Sequence, residues 1–130
     1  MGMTFIIAES IDDGIKGNAY EIDGIGEYIN LYDDMCDLIY KNRHIFGDDV
    51  DVFNRLDPYG HVVIKLDEIE SFIIASKALI KEDILEYLDS IDEFKNCDVE
   101  KEEFIRFANF MIKMCIFALA NNKKIFSIGD

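Results

Sequence analysis

Residues 98–122, DVEKEEFIRFANFMIKMCIFALANN, carry the longest helical periodicity in the chain, and the remaining elements have to be arranged about it. Phe104, Phe107, Ala108, Met111, Met114, Cys115 and Ala118 recur at the spacing of one helical face. Glu102, Arg106, Asn109 and Lys113 form a polar stripe opposite. After Lys113 the stripe stops, and residues 114–120 are apolar all round, the pattern of a helix covered by neighbours on every side. Phe107, Met111, Met114 and Phe117 are therefore expected to be core. Asp98 is expected to cap the N-terminus, and Asn121, Asn122, Lys123 and Lys124 suit the C-terminus. A membrane span is rejected, because Arg106, Asn109 and Lys113 interrupt what should be about 20 apolar residues.

A chain of 130 residues, half of them hydrophobic, is long enough for one domain over residues 1–130 with a core of its own. It holds 27 acids against 13 bases, a net charge of −14. That excess argues against nucleic acid and against an anionic membrane as partners, since both are negative themselves. It favours a basic protein partner, or solubility alone. Three widely spaced cysteines, Cys36, Cys97 and Cys115, form no C-x-x-C pair. Cys36 and Cys115 fall on apolar helical faces and read as buried thiols, which fits a reducing cytoplasm. The start of the chain, MGMTFIIAESIDD, lacks the basic segment and long apolar run of a signal peptide. Position 6 is Ile, where a myristoylation motif has Ser or Thr.

In chain order, residues 4–8 (TFIIA) predict a strand, and residues 19–22 a short second one. A helix is predicted from near Gly24 to residues 41–42, with Ile25, Tyr28, Ile29, Tyr32, Met35, Cys36 and Ile39 on its inner face. Residues 43–60 read as irregular, with Pro58 in a turn. Residues 61–66 alternate as a half-buried strand. Asp67 with Glu70, and Asp83 with Glu86, resemble capping boxes, so residues 67–94 are either two helices or one long bent helix. Glu82, Asp83, Glu86, Asp89 and Glu93 line the outer side. Residues 124–128 predict a final strand. The sum is an α+β domain: a predominantly helical core of about four helices, with a small sheet of about three short strands.

No motif marks a nucleophile and its base. His44 and His61 are the only histidines, and both read as surface residues. H-E-x-x-H is absent, and the run of Asp48, Asp49 and Asp51 departs from the calcium-loop pattern, with Phe at position 53 and the glycine and terminal Glu missing. Gly24-Ile25-Gly26 does not extend to the dinucleotide fingerprint, because Ile29 takes the last position. The chain is accordingly read as a non-enzyme with no cofactor and no metal.

What stands out is the distribution of acids. Glu27, Asp34 and Asp37 on the predicted helix, then Asp48, Asp49, Asp51 and Asp57 in the following stretch, predict one negative surface, with Tyr59 beside it. Tyrosines among carboxylates suit a protein interface, where aromatics anchor and charges steer. A plainer account puts Tyr28 and Tyr32 in the core and leaves the acids as a solvated face.

With this size, acid excess and lack of a catalytic pattern, the chain resembles the small acidic immunity proteins that bacteria make against their own polymorphic or contact-dependent toxins. Local likenesses are Leu56-Asp57-Pro58-Tyr59-Gly60, Val62-Val63-Ile64, Asp67-Glu68-Ile69 and the terminal Ile128-Gly129-Asp130. The resemblance implies a stoichiometric inhibitor that covers a basic, nuclease-like toxin domain with carboxylates. The alternative from another class is a small regulatory or scaffold subunit whose acids serve solubility.

Overall fold

The structure, a computed structural model, describes residues 2–129, so Met1 and the Asp130 of the C-terminal likeness lie outside the described residues. The fold is α+β, as predicted. Four strands, β1 (Met3–Ile7), β2 (Tyr28–Leu31), β3 (His61–Ile64) and β4 (Ile125–Gly129), form one antiparallel sheet in the order β2-β1-β4-β3. The helices of nine residues or more are α2 (Asp33–Lys41), α5 (Leu66–Leu79), α6 (Glu82–Ser90) and α8 (Lys101–Ala120). Shorter ones are α1 (Ile11–Ile15), α3 (Arg43–Phe46), α4 (Asp51–Asn54) and α7 (Glu93–Asn96), with a 3-10 turn at Asp48–Val50.

The strands alternate as a half-buried sheet must. Met3, Phe5 and Ile7 of β1 point into the helical layer and are buried, as are Leu31, Ile64 and Ile125 on the other strands. Ile64 stands opposite Ile125. Because α5 leaves β3 there and α8 returns to β4 there, the two helices run antiparallel, and they form the most extensive helix–helix contact. Phenylalanines tie the layers together. Phe107 of α8 lies 6.1 Å from Phe5 and 5.8 Å from Phe53 of α4, ring centre to ring centre, and Phe53 meets Phe72 of α5 edge-on at 5.5 Å.

The opposite face of the sheet has a small cluster of its own, Ile6, Ala8 and Phe126 with Ile11, Ala19, Val63 and Ile128. Helix α1 lies flat on this face because Gly14 has no side chain. A Cβ there would stand 1.9 Å from Ile6 Cδ1. A five-residue helix covers only part of a four-stranded sheet, and Tyr28 and Ile15 stay exposed.

Several expectations are corrected. Residues 28–31 are a strand, not the first half of a helix, and α2 begins only at Asp33. The apolar positions 25, 28, 29 and 32 fit a helix, but residues 28–32 also alternate, and pairing with β1 (Phe5 opposite Ile29) satisfies a whole row of backbone groups. The sheet thus gains a fourth strand, while residues 19–22 contribute only an isolated bridge from Ile22 to Gly26. Residues 43–60 hold two short helices and a 3-10 turn rather than an irregular run. Strand β3 ends at Ile64, and Leu66 already opens α5. Residues 67–94 are not one long helix: α5 and α6 are separate, and α7 follows a left-handed Asp92 (φ 54°).

The capping expectations also shift. Glu68 rather than Glu70 reaches back, accepting from the Lys65 N–H at 3.2 Å, and Asp83 accepts from the Ile84 N–H at 3.0 Å. Asp98 does not cap α8. It turns the chain in a left-handed conformation (φ 59°), which seats Val99 in the core, and α8 starts after Glu100. The C-terminal expectation holds: Asn121 follows the last turn, Asn122 is left-handed, and the Lys123 N–H closes onto the Ala118 carbonyl at 2.8 Å. Helix α8 is not covered on every side, since Ile116 and Leu119 are 53% and 43% exposed. Its neighbours, α5 and the sheet above all with α3, α4 and α7 near its first half, shield only its inner faces. Phe117 is half-buried, 6.4 Å from the Tyr20 ring. Glu93, expected on an outer stripe, is 5% exposed.

Candidate functional site: the acidic edge at strand β2

Strand β2 is an edge of the sheet, and three depressions meet along it. One, of about 360 Å³, runs between β2 and the first half of α8, lined among others by Glu27, Ile29, Tyr32, Glu103, Arg106 and Phe110. A second, of about 430 Å³, opens where β2 runs into α2, beside Asn30, Tyr32, Asp33 and Asp34. The third, of about 250 Å³, lies between α2 and the start of α8, with Asp34, Asp98, Glu100 and Glu103 on its walls. Tyr32 lines all three.

The local sequence explains the shape. Gly26 takes φ 147°, a conformation that side chains rarely adopt, and the Phe110 ring stands beside it. The chain then passes directly into β2. Ile29 and Leu31 turn toward the core, and Tyr28 and Asn30 turn away from it. On the outer side Thr4 donates its hydroxyl to Asn30 Oδ1 at 2.7 Å, and Asn30 Nδ2 donates to the Tyr32 hydroxyl at 3.4 Å. Tyr28 and Tyr32 are 57% and 53% exposed. The plainer account, which made them core residues, is therefore wrong for both rings. A further groove of about 440 Å³ continues past Tyr28 onto the open face of the sheet, beside Ile6, Ile15 and Ile128.

The predicted partner-binding residues separate into groups. Glu27 and Asp34 flank β2 and belong to this site. Asp37 is exposed one turn further along α2, and α2 packs on α4, which carries Asp51. Asp48 and Asp49 are exposed on the 3-10 turn, and Asp51 is half-buried. Asp57 and Tyr59 belong to the turn before β3, where Asp57 Oδ1 accepts from the Tyr59 N–H at 2.9 Å. Tyr59 is 70% exposed. Strand β3 is the other edge of the sheet, with β1 and β4 between it and β2, roughly 14 Å away at the usual strand spacing. Glu27 and Tyr59 are thus not neighbours on one patch. Glu100, Glu103 and Arg106 join the site without having been singled out, and Tyr32, weighed as either an interface aromatic or core, belongs to it. The available signal was the alternation of Tyr28, Asn30 and Tyr32, which a helical reading of residues 24–42 conceals.

The ion pairs Lys41 with Glu93, Lys101 with Asp89 and Lys123 with Glu9 lie at other acids than Glu27, Asp34, Asp98, Glu100 and Glu103. Glu9 is held below the usual carboxylate range by the hydrogen bond from Lys123, with help from Tyr20, and Lys123 is raised in turn by Glu9.

Thiol chemistry is suppressed. Burial pushes Cys115 up to about 12. Burial, then Asp37, pushes Cys36 up to about 11, although Cys36 is only half-buried rather than fully so. Cys97 is raised by burial first and by Glu93 next. All three are free cysteines. His44 and His61 are exposed, as expected. Among the described residues no three His, Cys, Asp or Glu side chains are grouped to hold a metal ion. No helix among them is long and apolar enough to cross a membrane.

No family model, characterised protein or solved structure matches the chain.

Proposed function

We propose that this chain is an immunity protein, a stoichiometric inhibitor that binds and neutralises a basic, nuclease-like toxin domain through its acidic surface. The observation that carries the reading is the β2 edge. Two half-exposed tyrosines stand there among Glu27, Asp34, Asp98, Glu100 and Glu103, with Arg106 as the cation lining the adjoining groove. Among the described residues these five carboxylates form no ion pair, and like charges repel one another. A basic partner relieves that repulsion and speeds its own encounter, while the tyrosines supply rigid, amphipathic contact area. A cytoplasmic setting agrees with the free thiols.

The test is co-purification from the native cell, followed by binding kinetics with the recovered partner. A single basic domain held at one-to-one ratio is expected. Glu27→Lys with Asp34→Lys should slow association about tenfold, whereas Glu82→Lys with Glu86→Lys, exposed on α6, should change it little. Asp48→Lys with Asp51→Lys measures whether the surface extends to α4. Recovery of several unrelated subunits, with association insensitive to salt and to all the reversals, would replace this reading with the scaffold alternative.

A further inference from the structure

We propose that β2 is a strand-addition site: an extended, lysine- or arginine-rich segment of the partner pairs with its free edge as a fifth strand of the sheet. The proposal rests on the reading of the partner as a basic protein and specifies how that partner is held.

Residues 28–31 pair with β1 on one side only. In an antiparallel edge strand, alternate residues turn their N–H and C=O groups away from the sheet, which makes a template for another chain. Among the described residues no backbone hydrogen bond joins residues 28–31 to anything but β1. The edge strand is short, four residues, but Tyr28-Ile29-Asn30-Leu31 contains no proline, no lysine and no bulge to block pairing. Along β3, the other edge, the depression beside Val52, Arg55 and Leu56 is smaller, about 210 Å³.

Space and charge agree with the backbone. The groove between β2 and α8 lies along this edge, so alternate side chains of an added strand would enter it and meet Ile29 and Phe110. The remaining side chains would lie on the outer face beside Tyr28, Asn30 and Tyr32, as cross-strand neighbours. Both ends of β2 are acidic, with Glu27 before it and Asp34 beyond it, and Glu103 lies in the groove wall. Arg106 is the counter-signal in that wall and provides a place for one carboxylate of the segment. The segment that fits alternates small apolar residues, facing the groove, with basic residues facing out. Main-chain bonds then supply affinity, and the alternation supplies specificity.

The probe is an acetylated eight-residue peptide alternating lysine with valine, offered to the full chain. A second peptide of the same sequence, N-methylated at every residue, keeps the charge and loses the donors. The plain peptide is expected to bind at least about tenfold more tightly than the N-methylated one, since several hydrogen bonds are removed. Binding should slow amide exchange within residues 28–31 and should weaken in the Glu27→Lys, Asp34→Lys variant, which reverses the acids at the two ends of β2. Equal binding of the two peptides, or no change in exchange at β2, would overturn strand addition while leaving a charge-driven inhibitor standing. Peptide-dependent protection of β2 alongside a co-purified partner that is not basic would support strand addition and remove the immunity reading.

Discussion

Asn42, at the end of α2, donates its side-chain N–H to Glu93 Oε2 at 2.6 Å, joining two short-range segments 51 residues apart. The same Nδ2 also donates to the Leu38 carbonyl at 2.9 Å, and Lys41 approaches the carboxylate at 3.7 Å. Asn42 and Glu93 are 3% and 5% exposed. A buried carboxylate without a donor is costly, so this contact fixes where α7 sits against α2. Asn42→Ala should destabilise by about 2–3 kcal/mol, and a double-mutant cycle with Glu93→Ala should show coupling of about 1–2 kcal/mol. Urea unfolding of the three variants measures both, and strictly additive effects would show that the two residues are not coupled.

Phe107 joins the sheet, α4 and α8 through its ring contacts and is 1% exposed. Phe107→Ala should cost about 3–5 kcal/mol. Phe117→Ala should cost clearly less, because Phe117 is half-buried and packs on Tyr20 at the edge of the core. Equal losses in denaturant midpoint would contradict this difference in burial between the two rings.

Ser76 of α5 and Ser127 of β4 are fully buried, and among the described residues neither hydroxyl has a hydrogen-bond partner. Removing an unsatisfied buried hydroxyl relieves its desolvation cost. Ser76→Ala should therefore be neutral or stabilising by up to about 1 kcal/mol, with the same direction for Ser127→Ala. A loss of thermal stability in either variant would show that its hydroxyl is bonded.

The thiols set an alkaline limit. Cys36 and Cys115 titrate at about 11 and about 12 in the folded chain, above the value of 9.0 for a free thiol. The folded state therefore holds these protons more tightly than the unfolded state. Their contribution is fully present below the unfolded value and is lost as pH rises from about 9 through the folded values. Unfolding midpoints measured across that range should fall, and Cys36→Ala with Cys115→Ala should flatten the fall. Thiol reagents should modify Cys115 only after denaturation.

Helix α8 was legible in residues 98–122 because its periodicity is local. Each apolar position needs only its neighbours three and four residues away to mark the inner face. The strands at 61–64 and 125–129 were legible for a similar reason: short β-branched runs bounded by turn residues have few other uses. The α+β class followed from the number and lengths of these segments. Residues 24–42 were not legible, because Ile25, Tyr28, Ile29 and Tyr32 satisfy a helical period while residues 28–32 satisfy a strand period. Only β1, about 25 residues earlier in the chain, decides between them by pairing Phe5 with Ile29.

That one decision also placed the candidate site. The sequence by itself determined how many acids and tyrosines the chain carries, and that carboxylates without a partner would lie outside the core, because burying them unpaired is prohibitive. It could not determine which of them meet. Tyr28 and Tyr32 came to the surface, Glu103 and Arg106 came beside Glu27, and Tyr59 went to the opposite edge, through strand order and helix packing. These are contacts between residues far apart in sequence, and no local pattern of hydrophobicity or charge encodes them.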